Sequence, residues 1–151
     1  MLSAYQFLFL ALFLLPAVFF VITLQNTLKV ISDENRKMPF TKVWLLFIPV
    51  FNFYWQFVVV NKISESIALE REKLQIRVKE SKPTYNLGLT WSICNLLFLI
   101  PVIKPWVSII LIITWTLYWI KVNQYRKLII QNQNTFLYDA ERNIFHEDHV
   151  L

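Results

Sequence analysis

VWLLFIPVFNFYWQFVVVN, residues 43–61, contains no Asp, Glu, Lys or Arg, yet carries Pro49 and Asn52 near its centre. A charge at the middle of a membrane helix costs roughly 2.5–3.5 kcal/mol on insertion scales, whereas a helix in water places charge every turn or so. The stretch therefore reads as chain solvated by lipid, and its course past Pro49 decides the topology.

Three more uncharged stretches surround it: Met1–Leu28, Pro83–Ile103 and Pro105–Ile120. The four occupy more than half of the 151 residues, and the 15 Lys/Arg and 10 Asp/Glu are confined to the remainder. About 20 apolar residues cross the ~30 Å hydrocarbon core. The pattern predicts an all-α integral membrane helical bundle with four apolar helices, at about 4–28, 43–61, 84–103 and 105–123, the second Pro-kinked or re-entrant. A charged cytoplasmic helix follows at about 62–80, with Ile63, Ile67, Leu74 and Val78 on one face. Residues 1–134 read as a single transmembrane domain and 135–151 as a polar C-terminal tail. The first stretch lacks a positive n-region and is longer than a signal-peptide core, so it is expected to be retained as a helix. With a single Gly in the chain, small-xxx-small pairing is not expected, and the helices should pack through bulky side chains.

Two topologies follow from Pro49. If 43–61 crosses as a kinked helix, five Lys/Arg lie on one side and ten on the other, which places both termini in the cytoplasm by the positive-inside rule. If it dips in and returns at Pro49–Asn52, the split is 14 to 1 with the N-terminus outside. Charge favours the re-entrant course. A kinked crossing keeps its backbone hydrogen bonds more easily, and on that ground four crossings are preferred.

Trp44, Trp91, Trp106 and Trp119 stand near segment ends and read as interfacial anchors. Asn52 and Gln56 share a helix face beside the Pro49 kink, and Asn95 lies at mid-depth on the third segment. These three amides are the intramembrane polar candidates; the plain reading is interhelical glue, the sharper one a polar site. No Asp, Glu or His falls within an apolar stretch, which argues against ion-coupled transport.

Cys94 is the one cysteine, so no internal disulfide or cysteine metal site can form. His146-Glu147-Asp148-His149 contains both histidines, but their spacing departs from the zinc-protease pattern, and His146 and His149 remain weak metal candidates in a solvated tail. One Gly cannot build a phosphate loop or a Gly-x-Ser-x-Gly elbow. No catalytic residue, metal or cofactor is expected, and the protein is read as non-enzymatic. The net charge of +5 flanks apolar segments, which points to anionic lipid headgroups and away from nucleic acid.

Gln25-Asn26-Thr27-Leu28-Lys29, Asn35-Arg36-Lys37-Met38, Val43-Trp44-Leu45-Leu46-Phe47-Ile48-Pro49 and Trp55-Gln56-Phe57-Val58-Val59-Val60 together resemble a family of small uncharacterised bacterial multi-pass inner-membrane proteins. The resemblance spans roughly residues 25–67 and implies a bacterial cytoplasmic membrane, with no activity attached. The function expected is an accessory or scaffold subunit of a larger membrane assembly, partnered by the lipid bilayer and by other subunits or further copies. The alternative is a passive channel or carrier using the mid-membrane amides.

Overall fold

The computed structural model describes residues 4–78 and 80–147, with side chains described chiefly over 14–138. Among the described residues there are four α-helices and one 3₁₀ helix, with no strand. They are α1 (Ala4–Val30), the 3₁₀ helix (Phe40–Phe47), α2 (Phe51–Lys73), α3 (Tyr85–Leu97) and α4 (Lys104–Glu147).

Helix α1 is uncharged up to Lys29 in its last turn and has Pro16 inside it. Its hydroxyls turn inward on the helix itself: Thr23 donates to the Phe19 carbonyl (2.9 Å) and Thr27 to that of Thr23 (2.8 Å). Thr90, Ser108, Thr114 and Thr116 do the same on α3 and α4. Internal satisfaction of this kind is what a polar group needs where no water can reach it. Arg36 ends α1 by donating to the carbonyls of Leu28 (2.7 Å) and Ile31 (2.9 Å), groups a helix terminus leaves without partners.

Helices α1 and α4 run parallel. Leu12 and Pro16 line one cavity with Leu111, Ile112 and Trp115, while Trp119 donates to Thr23 (2.8 Å) and Gln133 to the Val30 carbonyl (3.0 Å). Phe20 sits at the centre, edge-on to Trp91, Trp115, Tyr118 and Trp119 with centroids 5.5–6.0 Å apart. Such pairs add about 0.5–1.5 kcal/mol each beyond area burial. Around it pack Leu24 and Leu28 of α1, Val59, Ile63 and Ile67 of α2, and Val122 and Ile129 of α4.

Within α4, Lys104–Tyr138 is long and apolar enough to cross a membrane, and only 17% of its apolar window is buried. A core helix of a water-soluble protein would hide that face. Among the described residues this is the one helix that meets the length requirement; Leu14–Val30 is a shorter apolar helix. The all-α expectation is met, and four spans are not shown. Helix α3 stops at Leu97 instead of reaching 103, and its 13 residues extend only about 20 Å.

The second segment is not one continuous kinked helix. It is a 3₁₀ helix and the start of α2 joined by a turn, where Val50 holds φ 64° and Pro49 sits outside both helices. The chain doubles back there, and Trp55 donates to the Lys42 carbonyl at 2.9 Å. Pro49 cannot donate to a continuing helix, and its ring restricts Ile48 to the extended region, observed at φ −79°, ψ 113°. Pro49 is a turn residue, not a kink.

Two more boundaries move. The charged helix at 62–80 is the C-terminal half of α2 and ends at Lys73. The tail from 135 continues α4 to Glu147. With α1 and α4 parallel, the start of α1 and the end of α4 lie at opposite ends of the bundle, at odds with both termini on one side. Small-residue packing also occurs: a Cβ on Gly88 would lie 2.6 Å from Val60 Cγ1 and 2.8 Å from Tyr118 Cε2. Gly88 and the buried Ser92 four residues on make a small-xxx-small face after all.

Candidate functional site

Two buried polar regions stand out, one at each level of α2. The first centres on Glu70, which is 1% exposed. It lies three residues after Ile67 and four before Leu74, on the apolar stripe of α2, so helix geometry alone turns it inward. Its carboxylate accepts from the Ser32 N–H (3.2 Å) and hydroxyl, from Asn35 Nδ2 (2.8 Å) and from Gln133 Nε2 (2.9 Å). One side chain thus joins the exit of α1, the loop after it, α2 and α4. Burial pushes the Glu70 carboxyl up, but the hydrogen bonds from Ser32, Asn35 and Gln133 outweigh it and hold it below its ordinary value.

Neighbouring groups complete this charged end. Lys73 bonds Glu34 (2.6 Å), which raises the ammonium's pKa, and reaches Ser32 Oγ (3.3 Å). The Lys37 amide donates to Ser66 (2.9 Å), whose hydroxyl donates to the Lys62 carbonyl (2.7 Å). Lys121 bonds Glu80 at 2.6 Å. At the opposite end of the bundle, Lys104 rests over the Phe98 ring at 4.6 Å.

The second region is the contact between α2 and α3. Gln56 is fully buried and donates to the Ser92 carbonyl (3.3 Å). The antiparallel register set by Gln56–Ser92 and Val60–Gly88 continues to Ser64 level with Thr84 and Asn52 level with Leu96. Along it Asn52 Oδ1, Gln56 Oε1, Ser64 Oγ, Thr84 Oγ1 and Ser92 Oγ are all buried and lack a hydrogen-bond partner. Between the two halves of this row, Val60 and Tyr118 pack so closely on Gly88 that a Cβ there would have no room.

The structure brings Asn52 and Gln56 to this seam and gives Asn95 a local role, donating to the Trp91 carbonyl of its own helix (3.2 Å). Of the four tryptophans, Trp44 and Trp106 are exposed, Trp44 bonding Gln25 (2.8 Å). Trp91 is buried and stacks on Tyr118 at 5.9 Å, and Trp119 packs on Phe20. Both serve the core. His149 lies outside the described residues, as does the side chain of His146, and no group of three His, Cys, Asp or Glu gathers among the described residues.

Glu70 is the residue that sequence reading missed, because Glu65, Arg71, Glu72 and Lys73 make its surroundings look like a solvated face. The signal was its place on the Ile63–Ile67–Leu74 stripe. Chemically, a buried carboxylate held by four donors, three on Oε2 and one on Oε1, holds segments together. Comparison with family models, curated proteins and solved structures returns no match.

Proposed function

We propose that this chain is a non-enzymatic multi-pass protein of the bacterial inner membrane that serves as an accessory or scaffold subunit of a larger assembly. In this reading α1 and α4 cross as helices, α3 is too short alone and completes its crossing through residues 98–103, and the 3₁₀ helix with the start of α2 forms a hairpin that dips in and returns. The Glu70 end is cytoplasmic, with 14 of the 15 Lys/Arg, and the start of α1 is outside. Support comes from the Lys42–Trp55 pairing, the parallel course of α1 and α4, and the exposed apolar face of α4. The exposed hairpin tip at Val50, 80% accessible, suits contact with lipid.

The observation that carries the assembly role is the end of α4. Among the described residues Gln133 makes the last hydrogen bonds of α4 to the bundle body, and the helix backbone runs on to Glu147, about 20 Å further. There Phe136, Leu137 and Tyr138 are 60–64% exposed. Three large apolar side chains in sequence on a projecting helix suit a partner's groove better than water. A mild-detergent pull-down at native expression tests this. Co-purifying membrane subunits should be lost on Phe136→Ser/Leu137→Ser/Tyr138→Ser, and recovery of the unmutated chain only as a lone monomer would refute the reading.

The row of unpartnered atoms between α2 and α3 favours a second reading, a passive channel or carrier for a small polar solute. The Gly88–Val60 contact is its obstacle, so conduction would need α2 and α3 to part. Solute flux in proteoliposomes that rises in Val60→Ala supports it; no flux across a broad solute panel removes it.

A further inference from the structure

Helices α1 and α4 meet at one level and part at another. Trp119 donates to Thr23 at 2.8 Å, and Phe20 packs edge-on against the Trp119 ring beside that bond. Two turns earlier on α1 and one turn earlier on α4, the helices leave a groove of about 460 Å³. Leu12 and Ile112, 68% and 61% exposed, form its lips, and Trp91 of α3, 9% exposed, forms its floor. Leu111 and Trp115 line the α4 side. Pro16 lines the α1 side and withholds the amide that would bond the Leu12 carbonyl one turn back.

The depth of this groove says what meets it. Lys104 opens α4 at the end of the bundle away from Glu70, and Leu111 and Trp115 lie about 10 and 16 Å further along the helix. On a helix that crosses, that depth falls within the ~30 Å hydrocarbon core. No charged residue lines the groove. An apolar cavity of only about 150 Å³ already stays dry and takes up a hydrocarbon in place of water, and an empty groove would leave its lining without dispersion partners. A partner helix, about 10–12 Å across with its side chains, would come to rest on Leu12 and Ile112, and the Trp119–Thr23 contact closes the groove to any helix lying along it. A hydrocarbon chain is thin enough to pass the lips and lie on the Trp91 ring.

We propose that the groove between α1 and α4 binds one acyl chain of a bilayer phospholipid, which enters from the Lys104 end and stops at Phe20 and Trp115. The proposal rests on α1 and α4 crossing the membrane and goes beyond it. A chain in the groove is held, whereas chains over Ile109, Ile113 and Leu117, on the exposed face of α4, exchange freely.

The test uses full-length protein in vesicles of phosphatidylcholine and phosphatidylglycerol that carry a phospholipid with a photoactivatable diazirine in one acyl chain, with attachment sites read by mass spectrometry. Leu111 and Ile112 should be labelled about fourfold more than Ile109, Ile113 and Leu117 at the same depth, the difference that one additional buried methylene supplies. Leu12→Trp, at an exposed lip, should bring Leu111 and Ile112 down to the level of the outer face and leave the outer face unchanged. Ile112→Trp, read at Leu111, should repeat this from the other lip. Equal labelling of groove and outer face in the parent overturns the proposal and leaves the crossing intact. Labelling of the outer face alone also overturns it and assigns the groove to a protein partner. Preferential labelling that both tryptophan variants leave unchanged overturns it as well, and absence of label from all five positions overturns the crossing with it.

Discussion

Glu70 and Gln56 are buried to the same degree on the same helix, four turns apart, and their surroundings treat them oppositely. The Glu70 carboxylate receives four hydrogen bonds from three residues, whereas Gln56 Oε1 receives none and its amide finds two long contacts, to the Phe53 and Ser92 carbonyls. The contrast separates two uses of polarity. At the charged end, burial is made favourable by a complete set of donors and fixes how α1, α2 and α4 meet. At the α2–α3 seam, polar groups lie between helices without full satisfaction, so that contact is the weaker and the more able to open.

Removing the satisfied centre should have the largest effect. Glu70→Ala leaves the donors of Ser32, Asn35 and Gln133 facing one another in a buried space and should destabilise the protein by about 3 kcal/mol, read from thermal unfolding in detergent. A loss under about 0.5 kcal/mol would erase the contrast.

Gly88→Ala should come next, at about 2 kcal/mol, because its methyl would overlap Val60 and Tyr118. Pairing it with Val60→Ala should recover part of that loss; no recovery would mean the contact is not what limits the site.

Acid should act on the buried carboxylate centre, with a smaller part from the more exposed Glu65, where hydrogen bonds from Lys62 and Asn61 outweigh burial and also lower the pKa. With its pKa below the ordinary 4.5, folded Glu70 contributes stability that is complete above that value. The contribution is lost as pH falls below 4.5 through the lower folded value. Unfolding followed between neutral and acid pH should show this loss in the parent and a shallower one in Glu70→Gln. Equal slopes would contradict the hydrogen-bonding account.

The smallest effect belongs to Gln56→Leu, which removes an unpartnered oxygen and should change stability by less than about 1 kcal/mol, in either direction. A loss comparable to that of Glu70→Ala would show the seam to be satisfied after all.

How much of this was legible follows from which forces act locally. The course of α1 and α4 could be read because uninterrupted apolar residues and the Lys29 and Lys104 boundaries are local signals. The hairpin at Pro49–Val50 could not: an apolar run of this length with a central proline has the same letters whether it crosses or folds back. The choice rests on Trp55 meeting the Lys42 carbonyl. The four-residue spacing of Asn52 and Gln56 puts them on one helix face, which lies at the α2–α3 seam, while the Asn95 amide bonds its own helix. Trp91 and Trp119 were misassigned because an aromatic near a segment end can face lipid or core with equal ease. Gly88 was missed through counting glycines instead of asking what lay opposite the one present.

Thiol labelling at Lys37→Cys, Arg77→Cys and Val102→Cys in a Cys94→Ser background addresses the reversal at Pro49–Val50 directly. With a membrane-impermeant reagent on intact cells, positions 37 and 77 should be protected together and position 102 labelled. Labelling of 37 and 77 from opposite faces would mean that residues 43–61 cross, and equal labelling of all three would deny the bilayer placement altogether.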